Sequence, residues 1–232
     1  MPLFLAKRNT ELTEWMDRDD CDKQLLFNTY TQFSRINRLL SGWGSLYHRF
    51  IQPLIASSSG TFTVLDIGCG GGDVIRHLNF LCEKDGFDVH FTGVEPDQRA
   101  IQFVRQTDWP EGVNFRSARS SELVAEGNQF DLVISNHLMH HLAPADLYSL
   151  CEDAEKLALK RVLFSDIERS DIGYLSFMTA APLLFRSSYI VKDGLISIRR
   201  SYRKPELEEL LPKSWTVERK FPFRLIALYD ND

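Results

Sequence analysis

The stretch that most restricts the fold is Val64-Leu65-Asp66-Ile67-Gly68-Cys69-Gly70-Gly71-Gly72-Asp73-Val74. An apolar run suited to a buried strand breaks into glycines and resumes as a helical pattern, so a strand turns into a helix through a loop almost free of side chains. Glycines at such a turn let the backbone approach a ligand that any Cβ would meet first. A dinucleotide loop of the form G-x-G-x-x-G needs a third glycine where this chain has Asp73, and a pyrophosphate on the helix N-terminus is poorly served by nearby carboxylates. Asp66 and Asp73 instead suit a ligand that carries an ammonium or sulfonium. One strand further on, Phe91-Thr92-Gly93-Val94-Glu95-Pro96 sets a carboxylate where a ribose diol is expected, and a carboxylate accepts from both hydroxyls.

The rest of the chain supports an α/β reading. Short apolar runs at Phe62 to Ile67, Val89 to Val94, Val113 to Phe115, Phe130 to Ser135 and Arg161 to Ser165 alternate with helical stretches, the rhythm of a parallel sheet covered on both faces. Trp215 to Val217 and Phe223 to Tyr229 read as a closing pair of strands. Residues 1–57 read as a helical N-terminal cap. In it Leu26, Tyr30, Phe33, Ile36 and Leu40 draw one apolar stripe, with Asp20 and Asp22 as start signals and Gly42 and Gly44 as stops. A second short helix holds Tyr47, Phe50, Ile51 and Leu54, and Pro53 requires that it be distorted or restart there. Ser57 to Gly60 is the linker, residues 58–232 form the second unit, and an apolar segment at about 170–192 interrupts it.

A formal charge of -5 and a pI near 5.7 disfavour nucleic acid as a partner, because a phosphate backbone calls for a basic surface. Cys21, Cys69, Cys82 and Cys151 are scattered, with no C-x-x-C pair, and read as reduced thiols of a cytoplasmic protein. The apolar run Ile172 to Phe185 is shorter than the ~20 residues that cross a bilayer, so no membrane span is expected.

On the glycine loop and Glu95, the sequence resembles the class I, or Rossmann-like, S-adenosylmethionine-dependent methyltransferases. The resemblance covers residues 61 to about 168. It implies a Rossmann-like α/β fold: a seven-stranded, mostly parallel sheet with helices on both faces, an antiparallel final strand, and a cap closing over the cofactor S-adenosyl-L-methionine. It also implies that Asp66, Gly68, Cys69, Gly70 and Gly72 contact the methionine part and that Glu95, followed by Pro96, holds the ribose. Phe130 to Leu142 looks like the family's fourth-strand motif, whose residues after the strand, here Asn136 and His137, line cofactor and acceptor. The family's third strand often ends in an Asp that meets the adenine amino group. Here the stretch reads Ser117-Ala118-Arg119-Ser120, and Ser120 or Ser121 is the expected substitute. Cys21-Asp22, Asn37-Arg38-Leu39-Leu40, Asp193-Gly194 and Arg199-Arg200 more loosely resemble small bacterial methyltransferases of polyketide and other secondary metabolism.

His140, and after it His137, are the candidates for a general base, since histidine titrates nearest neutrality; the other reading is that His137 shapes the cofactor pocket while His140 and His141 orient the entry to the next helix. No metal is expected, because no Asp or Cys stands at helpful spacing to these histidines along the chain. Cys69 reads as a spacer, and Asp166 and Glu168, at the carboxyl end of the fifth strand, as solvated loop carboxylates, with substrate contact as the alternative. The apolar segment with Tyr174, Phe177, Met178, Leu183, Leu184 and Phe185 is either a wall of the acceptor pocket or a packing and homodimer contact. The expected activity is O-methylation of a small, largely apolar phenolic or polyketide-like acceptor. C-methylation of a quinone-like ring, a nucleotide-linked oxidoreductase, and a non-catalytic cofactor-binding module are the alternatives.

Overall fold

The computed structural model describes residues 3–37 and 41–231. Residues 3–22 contain no helix, against the expectation of a helical segment from the first residue. Their amides are held by carboxylates far along the chain and not by a helical ladder: Leu5 N donates to Asp171 (3.0 Å), Trp15 N and Met16 N to Asp193 (2.7 and 3.0 Å). This strap is followed by α1 (Lys23–Ile36), whose N-cap Asp22 accepts from Leu25 N as the sequence suggested. Leu40 and the Arg38-Leu39 pair lie outside the described residues. Next come α2 (Trp43–Leu46), a π-helical turn (Tyr47–Ile51) and α3 (Gln52–Ala56). Pro53 stands in the first turn of α3, where its missing N–H costs no hydrogen bond, and the wide turn before it supplies the distortion that Pro53 demanded.

The strands and helices then alternate: β1 (Phe62–Ile67), α4 (Asp73–Asp85), β2 (Val89–Val94), α5 (Gln98–Val104), β3 (Val113–Arg116), α6 (Ser120–Ala125), β4 (Phe130–Asn136), α7 (Pro144–Leu157) and β5 (Ala158–Ile167). After them come α8 (Asp171–Leu184), α9 (Ile190–Arg200), α10 (Lys204–Leu210), β6 (Thr216–Lys220) and β7 (Arg224–Asp230). The sheet has seven strands in the order β3-β2-β1-β4-β5-β7-β6. Only β7 is antiparallel to its neighbours, as the closing pair of strands foretold.

Burial on both faces explains why the strands read as unbroken apolar runs. Val64 packs with Leu132, Ile134, Ile75 and Trp43 on one face. Its neighbour Leu65 packs with Val133, Leu147 and Phe164 on the other. Strand order reverses between β1 and β4, and the crevice at the carboxyl ends of these strands is where an open α/β sheet receives ligands. The apolar insertion forms α8 and the start of α9. Phe177, Ala181, Phe185 and Ile190 pack with Phe33 and Ile36 of α1, while Ile172, Leu175, Met178 and Leu183 stay exposed.

Candidate active site

A cavity of about 990 Å³ opens over the crevice. At the end of β1, Gly68, Gly70 and Gly72 take φ of 72°, 50° and 74°, a region that costs an L-residue about 1–2 kcal/mol. A Cβ on Gly70 would meet only the edge of Tyr30, at 3.9 Å, so this glycine leaves an open cradle in the cavity wall. Gly72, expected against the cofactor, does not line the cavity. A Cβ there would strike Trp109 at 2.7 Å and Phe115 at 2.8 Å, so its smallness serves the packing of α4 against β3. Cys69 lines the cavity, and its thiol is pushed up by burial and the nearby Asp66. Its Sγ packs against Gly93, in keeping with a spacer.

Asp66 is 2% exposed, and its Oδ1 has no partner. Burial, then the charges of Asp73 and Glu95, push its carboxyl well above the usual range. Glu95 accepts from Gly70 N (3.2 Å) and Asp97 N (3.1 Å), which fixes it beside the glycine loop, and burial raises it too. Asp73 accepts from Asn37 (2.7 Å). Three carboxylates thus face one cavity, one with an orphaned oxygen and none in an ion pair among the described residues. Leaving such a group unsatisfied is costly, so the arrangement fits a ligand that brings a positive charge and hydroxyl donors, and disfavours a pyrophosphate.

Pro96, Arg119, Ser120 and Ser121 line the same cavity. Ser120 Oγ donates to Asp153 of α7 (2.7 Å), so the fold brings an acid to the place where the third strand lacks one. The sequence carried no local signal for Asp153, which lies 33 residues from Ser120.

The histidines stand in a network that sequence reading missed almost entirely. His137, at φ 61°, presents Nε2 to Arg224 (2.8 Å), which also donates to Asn136 and Ser165 (both 2.7 Å). Burial and this guanidinium hold His137 well below the ordinary histidine value; the ring is neutral and its lone pair is engaged. His140 is 1% exposed. Its Nδ1 lies 2.7 Å from Asp166 and its Nε2 3.2 Å from Glu14 of the strap. Burial alone would depress this ring, but Asp166 and Glu14 outweigh it and hold it at about 9. With both nitrogens facing carboxylates, His140 is an imidazolium here. Asp166 is 3% exposed and takes part in this network, so the solvated-loop reading fails for it. Glu168 instead pairs with Arg219 (2.7 Å).

Residues 64–160 match the family model described as a methyltransferase domain. The strand order with β7 inserted antiparallel before β6 departs from the all-parallel dinucleotide order. The chain carries a methyltransferase domain of the S-adenosylmethionine-dependent kind over residues 64–160. It is similar to a ubiquinone biosynthesis O-methyltransferase of Roseobacter denitrificans, 29% identical over 212 residues that cover 86% of this chain and 80% of the relative. A relative of the same name from Bordetella parapertussis is 28% identical over 155 residues, 65% of this chain and 58% of its own. Among solved structures, the plantazolicin methyltransferase BpumL in complex with a desmethylPZN analogue and SAH aligns with a TM-score of 0.62 at 12% identity, covering 90% of this chain and 96% of that one. Human N-acetylserotonin methyltransferase in complex with SAM gives 0.63 at 12% identity, covering 90% and 56%. These likenesses are ones of fold.

In this methyltransferase the orphaned Asp66 oxygen, the Gly70 cradle and Glu95 fit the cofactor. Of the predicted residues, Asp66, Gly68, Cys69, Gly70, Glu95, Pro96, Ser120, Asn136, His137 and His140 all line the one cavity, and Gly72 alone does not. Glu14, Arg224 and Asp153 are among the polar lining residues that the sequence did not suggest. Among the described residues no helix is long and apolar enough to cross a membrane.

Proposed function

We propose that this methyltransferase acts on a hydroxyl oxygen of a small, largely apolar phenolic acceptor. The observation that carries the reading is that one cavity is lined both by the Asp66, Gly70 and Glu95 group and by an apolar wall of Phe33, Ile36, Phe177, Ala181, Leu184 and Phe185. At about 990 Å³ it reaches the upper end of small-molecule sites, ~300–1,000 Å³, which is room for cofactor and acceptor together. The names of the relatives, O-methyltransferases of ubiquinone biosynthesis, favour oxygen over carbon and an aromatic acceptor.

Bound S-adenosylmethionine supplies an electrophilic methyl group on a sulfonium. The chain's own part is placement: Asp66 takes the ammonium, Glu95 the ribose hydroxyls, and Ser120 with Asp153 the adenine edge. Asn136 and His137, braced by Arg224, form the floor at the end of β4. Holding two reactants in line supplies ~7–11 kcal/mol of the barrier reduction, so the apolar wall serves catalysis by orienting the ring and excluding water.

A hydroxyl acceptor loses its proton as the bond forms. His140 accepts it at Nε2 once its own Nε2 proton has passed to bulk solvent and the acceptor hydroxyl has replaced Glu14 there, while Asp166 keeps Nδ1–H and so sets the tautomer.

The test is release of S-adenosylhomocysteine with a panel of phenols that differ in apolar substituents, with the methylated atom located by NMR. Turnover is expected to rise with the apolar substituent and the methyl to sit on oxygen. Ring-carbon methylation, or indifference to the substituent, would sink this reading.

A further inference from the structure

Glu14, His140 and His141 each bring one ligand atom to a common point in the cavity wall. Glu14 Oε1 lies 3.2 Å from His140 Nε2 and 3.7 Å from His141 Nε2, and the three atoms lie within 4.8 Å of one another. Ligands bound to one ion at ~2.0–2.1 Å and the tetrahedral angle stand about 3.3 Å apart. The two separations from Glu14 Oε1 therefore match edges of a coordination polyhedron, and the two rings lie close enough to share the third.

The orientation of both rings is set from behind. His140 Nδ1 lies 2.7 Å from Asp166 Oδ1, and His141 Nδ1 lies 3.1 Å from Asp17 Oδ2. When Nδ1–H is donated to a carboxylate, the Nε2 lone pair is left for an ion, which is the arrangement that outer carboxylates impose on metal-binding histidines. Ser197 Oγ donates to Glu14 Oε1 (2.7 Å) and fixes the third ligand. A second convergence, His137 with His140 and Asp166, is unsuited to a cation, because the Arg224 guanidinium sits 2.8 Å from His137 Nε2.

We propose that Glu14, His140 and His141 form a site for a divalent transition-metal ion of the zinc class, with its open coordination position turned to the cavity that all three line. Two imidazoles and one carboxylate are the donor set of a catalytic, not a structural, zinc site, and nitrogen donors select against magnesium and calcium. The expectation of no metal rested on spacing along the chain. The strap supplies the missing acid across 126 residues, out of reach of any local motif. An ion there would occupy the Nε2 that otherwise serves as base, and would in its place promote loss of the acceptor's proton by polarising the oxygen at its open position; that use rests on the O-methylation reading, whereas the binding itself does not.

The test is titration of the chelator-stripped protein with CoCl2, followed by calorimetry and visible absorption. One saturable equivalent is expected, with the absorption of a low-coordinate nitrogen and oxygen site and displacement by ZnCl2. Glu14→Gln and His141→Gln should each weaken binding at least tenfold, and Asp17→Asn, acting through His141, about 10–100-fold. Folding of each variant is checked by circular dichroism and by retained binding of S-adenosylhomocysteine. The His141 side chain is 25% exposed, so His141→Gln carries the test if Glu14→Gln does not fold. Failure to saturate at one equivalent, or equal affinity in wild type and the folded variants, overturns the site. Stoichiometric cobalt binding without turnover of any phenol would keep the site and count against the acceptor reading alone.

Discussion

At the cofactor end, Asp66, Asp73 and Glu95 have no cationic partner among the described residues, and burial holds all three above the usual carboxylate range. In the wall built by the strap, Glu14 and Asp166 are as deeply buried, yet each is drawn below that range: burial works against it, but His140 and His141 around Glu14, and His140 beside Asp166, prevail. The same side chain in the same cavity is thus left open to an incoming charge in one region and neutralised from within in the other. A buried carboxylate without a partner costs stability. Its persistence at the glycine loop is best understood through the ligand that completes it, whereas the paired carboxylates contribute to the fold whether or not a ligand is bound.

The contrast breaks most visibly at Asp166. Asp166→Ala removes the acid from a ring that is 1% exposed, and unpairing a buried charge costs about 3–5 kcal/mol. Chemical denaturation without ligand is expected to show a loss of that order. Asp66→Asn is expected to do the reverse. Unliganded stability stays level or rises, because a desolvated and unpaired charge is gone, while affinity for S-adenosylhomocysteine falls by about 1–3 kcal/mol through the loss of its ionic partner. If both variants lost stability alike in the absence of ligand, the distinction between open and closed carboxylates would have no content.

The two regions also differ in how far the sequence could reveal them. β1 and β2 fall at the residues the apolar runs marked, since β1 is buried on both faces, β2 keeps one face fully buried, and both are flanked by turn residues. β5 runs from Ala158 to Ile167, longer than its apolar core suggests, because α7 passes into it with no glycine or proline to mark the change. The place of the glycine loop and Glu95 in the cavity wall was legible because it follows from neighbours in sequence. Glu14, Arg224 and Asp153 were not, because each gains its meaning from a partner on a distant element. Gly72 shows the opposite error. Its place in the motif suggested ligand contact, but the rings of Trp109 and Phe115 are what require it to be small. The strap was misread as helix for a related reason: the carboxylates that satisfy its amides are 166 to 178 residues away, and no local pattern records them.

The smallest expected effect sharpens the comparison by pH. Burial pushes Asp73 up to about 6 from an ordinary 3.8, with the Asn37 hydrogen bond pulling the other way. The folded chain therefore holds this proton more tightly than the unfolded chain does. Asp73 favours folding most below the ordinary value, and that contribution is lost as pH rises towards about 6, beyond which it is constant. A cationic ligand prefers the ionised form, so the Asp73 contribution to affinity for S-adenosylhomocysteine should be level above about 6 and fall as the solution is acidified below it. One proton limits the slope to about tenfold per pH unit. In Asp73→Asn the profile should flatten to what Asp66 and Glu95 retain, which calorimetry across this range would resolve. A wild-type affinity indifferent to acid would mean that these carboxylates do not meet the ligand's charge, and the difference between the two ends of the cavity would then need another cause.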